Sequence, residues 1–99
     1  MSDIEVRVKR SLRSLMDSHS PRHKRYVKAI KAFQGLDLGA ITKETRSLIE
    51  SNLVKSNAVL VNYELETFAD YKAISSEDMN TLIKNQIQLC NEIKAAINA

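Results

Sequence analysis

Residues 42–73 contain neither proline nor glycine, and their apolar side chains fall on two helical stripes instead of one. At 100° per residue, Val54, Ala58, Val61, Leu65, Phe68 and Ala69 line one side, while Ile49, Leu53, Leu60, Tyr63 and Tyr71 line the adjoining side. A helix apolar over so wide an arc has to be covered from two directions. The segment therefore reads as the long central third helix of a small bundle, flanked by amphipathic helices. At 1.5 Å per residue it would be ~45 Å long, against roughly 23 Å for the helices before it. Either it breaks, near Ser56-Asn57, or part of it is covered by another copy of the chain.

The flanking segments carry helical signals of their own. Ser2 followed by Glu5 is a capping-box pattern, and Ile4, Val8, Leu12, Leu15 and Met16 then share one face, with Val6 out of place. Ser20-Pro21 marks a second start, because the serine oxygen caps free N–H groups and proline at the first position lacks a donor that had no partner anyway. Tyr26, Val27, Ile30 and Phe33 form the apolar face of that helix, and Gly35 is its expected stop. Leu36, Leu38 and Ile41 hold the following loop against the core, and Thr42 caps the third helix. A short turn at residues 73–76 leads to Ser75, which caps a fourth helix with the stripe Met79, Leu82, Ile83, Ile87, Cys90, Ile93 and Ile97. The expected fold is all-α: a four-helix bundle over residues 1–99 as one domain. Its helices lie near 3–17, 21–34, 42–73 and 76–97, the last two an antiparallel hairpin.

With two Gly and one Pro in 99 residues, turn-formers are scarce, which favours long helices. One cysteine excludes an intrachain disulfide or a thiolate metal cluster, and points to a reducing compartment. No secretory leader pattern opens the chain, and no run approaches ~18 apolar residues, so no membrane span is expected. A cytoplasmic protein is the natural expectation.

The net charge of +3 hides a strong asymmetry. Residues 1–34 hold nine Lys and Arg against three acidic residues, whereas residues 35–99 hold six basic and nine acidic ones. Arg7, Arg10 and Arg13 recur at three-residue spacing opposite the apolar face of the first helix. Lys24, Arg25, Lys28 and Lys31 lie together on the side of the second helix opposite its apolar face. Two consecutive cationic faces suit an anionic partner, either nucleic acid bound through its phosphates or an acidic protein surface. Most charged helix faces are simply solvated, and the asymmetry is the only tilt away from that reading. The second helix has no Asn or Gln on its outer face to read adenine, so such binding would follow backbone more than sequence.

Other constellations are weak. His19 and His23 are four apart, but Ser20-Pro21 breaks their register and no further ligand lies at metal spacing. Cys90 sits in an apolar stripe and lacks an activating base. Glu66 and Asp70 lie four apart on one face of the third helix, without a partner group for acid–base work. No catalytic, cofactor-binding or metal residues are assigned, and an enzyme is not expected.

Asp17-Ser18-His19-Ser20-Pro21-Arg22-His23, between two helices, resembles the Ser-Pro-Arg-His joint of small terminase subunits of tailed phages. Those are helical, ring-forming proteins that help select DNA for packaging. Four residues are identical, Ser20 to His23. Beyond them this chain departs, since Gly35 and Gly39 end the second helix where that family continues a long hairpin arm.

The leading expectation is a non-enzymatic adaptor or regulatory protein that acts through protein contacts and self-associates as a homo-oligomer through Ile49, Leu53, Leu60 and Tyr63. The alternative is a nucleic-acid-binding subunit using the basic faces of helices 1 and 2.

Overall fold

Ser2, Thr42 and Ser75 each accept a hydrogen bond from the backbone N–H three residues on, at 3.4, 3.2 and 3.2 Å, and each opens a helix. These are the first, third and fourth helices of a computed structural model that describes residues 2–98. The helices are α1 (Asp3–Leu15), α2 (Arg22–Lys31), α3 (Lys43–Leu60) and α4 (Ser76–Ile97). Short 3-10 turns lie at Leu38–Ala40 and Phe68–Ala73, and no strand occurs among the described residues. The fold is the expected all-α four-helix bundle with α3 and α4 antiparallel. Leu48 packs near Leu89 and Ile93, towards the end of α4, whereas Val59 and Leu60 pack near Met79 and Leu82 at its start.

The second helix begins differently from its sequence signal. Ser20 does not cap it; its hydroxyl donates to Asp17 Oδ2 at 2.9 Å, and Pro21 takes the cap position. Asp17 also accepts the His19 N–H at 3.1 Å, and these two bonds hold its carboxyl below the ordinary range. A carboxylate two and three residues back thus outcompetes the helix for the loop's donors. At the other end α2 stops at Lys31, and Gly35 adopts φ +73°, where a side chain would be strained.

α4 is the element that α1, α2 and α3 all touch. Leu82, Cys90 and Ile93 on it are completely buried. One apolar cluster joins Ile4 and Val8 of α1 to Leu89, Cys90 and Ile93, and a second joins Tyr26, Ile74, Met79 and Leu82. Gln86, which the sequence does not place on the apolar stripe, lies buried in line with it, whereas Ile87, which it does, is turned towards solvent. Gln86 Nε2 donates to Ser11 Oγ at 3.0 Å, and Ser11 Oγ donates to the Ala29 carbonyl at 2.9 Å, so one polar thread crosses α4, α1 and α2. Leu36 and Ile41 pack on the core as expected, but Leu38 and Met16 do not and stay exposed.

The helical period over residues 42–73 is only partly realised as helix. α3 ends at Leu60, and residues 61–75 fold back before α4 begins, so the connection is longer than a tight turn. Two side chains account for this. Tyr63 Oη donates to Asp78 Oδ2 at 2.5 Å and accepts the Ser75 N–H at 3.1 Å, which anchors the chain beside the start of α4. Asp70 Oδ2 accepts the backbone N–H groups of Glu66 and Thr67 at 2.9 and 2.8 Å, closing a capping box around the 3-10 turn. A straight helix would carry Leu65, Tyr71 and Ile74 past the end of the core; folding back packs all three on it.

Candidate interaction surface

The outer face of α3 is the largest departure from ordinary burial. Its two fully buried residues are Thr45 and Ser56, both polar. On a helical wheel these point opposite to Val54, Ala58 and Val61, all exposed, with Val54 at 72% and Val61 at 78%. Of the two apolar stripes in the sequence, the part of the first that lies on α3 faces water, whereas the second is turned towards α2 and α4. Three of the four residues expected to mediate self-association therefore lie on the covered side. Ile49 packs against the first cluster, and Leu60 and Tyr63 against the second. Leu53 alone of the four is open, at 52% exposure. The apolar surplus is real but sits on the neighbouring stripe.

Leu53 also edges a cleft of about 260 Å³ between α2 and α3, floored by Gln86 and Leu89 of α4. Tyr26 and Ile30 of α2, with Phe33 just beyond its end, form the facing wall. Burial pushes the Tyr26 phenol up to about 12, and nearby Tyr71, stacked with ring centroids 6.2 Å apart, acts in the same direction.

The seven basic candidates on α1 and α2 divide by what they touch. Arg7, half-buried, pairs with Asp3 at 2.8 Å and donates to the Ala32 carbonyl at 3.4 Å and to that of Gln34. It therefore holds the carbonyl of the C-cap of α2 and one of the turn that follows, at the end of the helix where a cation suits the dipole. Arg25 Nε donates to the Ser20 carbonyl at 2.8 Å, bracing the loop before α2. Lys31 lies with Nζ 4.6 Å from the centre of the Phe68 ring, tying the second 3-10 turn to α2. Arg10, Arg13, Lys24 and Lys28 are exposed. Arg13 and Lys28 come together with Lys9 around a shallow cleft that includes Leu12, Met16 and Asp17. Lys9 is not among the seven, and only the packing of α1 on α2 brings it into this group.

His19 is exposed, and among the described residues no three His, Cys, Asp or Glu side chains converge. Cys90 is fully buried, and burial pushes its thiol up. No described helix is long and apolar enough to cross a membrane. Compared with protein-family models, with curated proteins and with solved structures, the chain matches none.

Proposed function

We propose that this chain is a non-enzymatic adaptor or regulatory protein that works through protein contacts and self-associates along the outer face of α3. The observation that carries this reading is the exposure of Val54 and Val61 on one side of a helix whose opposite side is already packed. Exposed apolar side chains scattered singly are ordinary, but three in register on a rigid helix form a contiguous strip suited to a partner. Sedimentation equilibrium from micromolar to millimolar concentration tests it. The expected result is a reversible oligomer that Val54→Asp combined with Val61→Asp converts to monomer, with the helical circular dichroism unchanged. A wild-type monomer throughout this range would end the reading.

A second reading is favoured by the meeting of Lys9, Arg13 and Lys28 at one cleft: an anionic partner, nucleic acid or acidic protein, held at the α1–α2 surface. Binding of duplex or single-stranded nucleic acid would then weaken steeply with salt and on charge reversal of Arg13 and Lys28. Absence of binding at low salt to either nucleic acid or a polyglutamate chain would remove it.

A further inference from the structure

We propose that α3 pairs with α3 of a second copy in parallel, about a two-fold axis, with Glu50 of each chain set against Lys55 of the other. This rests on the self-association reading and goes further by fixing the partner and its direction.

The exposed residues Ser47, Ser51, Val54, Ala58 and Val61 are spaced four, three, four and three apart, the alternation of the a and d positions of a heptad. Val54 and Val61 then occupy d, and Ser51 and Ala58 occupy a. Val54, Ala58 and Val61 point away from α4, and Ser51, like Lys55, is exposed at the edge of a narrow groove shared with Asn85 and Glu92 of α4, so a second helix can approach without displacing any packed element. Small side chains at a permit close approach, and the two valines supply the apolar contact.

Direction follows from the charges beside the seam. Glu50 falls at g and Lys55 at e, on opposite sides of the strip, and both are exposed. Neither enters an ion pair among the described residues. In a parallel pair, position g of one helix lies against the following e of the other, five residues on, which brings Glu50 to Lys55 on both sides of the axis. In an antiparallel pair centred on Val54, Lys55 would face its own copy and Glu50 would face Asn57. The Glu50–Lys55 contacts therefore favour the parallel arrangement, against the like-charge contact of Glu44 with its own copy at the preceding a position in the first turn of α3. The symmetry is closed, so association stops at two chains.

The test is charge exchange on the full chain, read by sedimentation. Glu50→Lys and Lys55→Glu each set like charges together and should weaken the dimer about tenfold at low salt, since each replaces two attractive pairs by two repulsive ones. Mixing the two variants restores opposite pairing on both sides and should recover dimer, with the recovery fading at high salt. Ala58→Cys gives an independent readout: parallel alignment puts the two cysteines together, and mild oxidation should link them into a covalent dimer. Wild-type dimer that dissociates on Val54→Asp but is indifferent to both charge variants, and no cross-link at Ala58→Cys, would overturn the parallel arrangement and leave self-association standing. Monomeric wild type at millimolar concentration would overturn both.

Discussion

Gln86 of α4 donates through Nε2 to Ser11 Oγ of α1 at 3.0 Å, and both residues are almost wholly buried. The same hydroxyl passes its own proton to the Ala29 carbonyl at 2.9 Å, so Ser11 links three helices through one atom. Ser11→Ala would leave a buried amide donor without an acceptor, at about 1–3 kcal/mol. For a domain of this size that lowers the melting temperature by roughly 4–8 °C per kcal/mol. Adding Gln86→Leu to Ser11→Ala should recover part of the loss, because both polar ends are then gone. A double-mutant cycle by urea unfolding checks it, with non-additivity as the expected signature.

Asp70 gives a pH dependence with a definite sign. Its carboxylate accepts backbone N–H groups of Thr67 and Glu66, and these bonds hold it below the ordinary value of 3.8. A carboxyl depressed in the folded state contributes stability above its unfolded value, and that stability is lost as pH falls through the folded one. Asp70→Ala should therefore destabilise the protein at neutral pH, with the gap from wild type closing as the pH drops below about 3.8. Urea midpoints for both proteins across that interval measure the closure.

Arg7 and Lys28 should separate structure from surface charge. Arg7→Gln removes charged hydrogen bonds to the end of α2, each worth about 1.5–3 kcal/mol, so the melting temperature should fall by several degrees. Lys28→Glu, at an exposed position, should leave stability within about 0.5 kcal/mol while abolishing any salt-sensitive binding of polyanions. Thermal melts and a salt titration of polyanion binding on both variants would show whether the roles divide this way.

Cys90 should report on opening of the bundle. It is fully buried and its thiol is pushed up by burial, so little thiolate forms at mildly alkaline pH and a reagent cannot reach it. Labelling by a chromogenic disulfide reagent should be slow in buffer and immediate in denaturant. Ser11→Ala should accelerate it about tenfold for each 1.4 kcal/mol of stability lost.

Much of the bundle is decided by local chemistry. Ser2, Thr42 and Ser75 start helices because each places a side-chain oxygen where free N–H groups need an acceptor, and Gly35, the expected stop of the second helix, instead lies in the turn beyond its end at Lys31, where it adopts a positive φ without strain. The 3.6-residue period likewise identifies most of the apolar face of α4, missing buried Gln86 and Leu89 and including the exposed Ile87. A buried amide there is stabilised only by Ser11, 75 residues away, and no local pattern reveals such a partner.

Periodicity shows that a residue lies on a stripe, not which stripe meets another element. Both stripes of α3 have the same spacing and similar composition. Docking against α4 covers Ile49 and Leu60 and leaves Val54 and Val61 open. The end of α3 at Leu60 follows from Tyr63 reaching Ser75 and Asp78, although Thr67 and Asp70 already carried a capping-box spacing in the sequence. The basic ridge is sorted in the same way: Arg7 and Arg25 are taken up by carbonyls of neighbouring segments, and Lys9 joins Arg13 and Lys28. Sequence alone settled that four helices form and where α1, α3 and α4 begin, because capping chemistry acts over three or four residues. Which faces and charges remain for a partner was settled only in the folded chain, because burial depends on contacts between residues far apart along it.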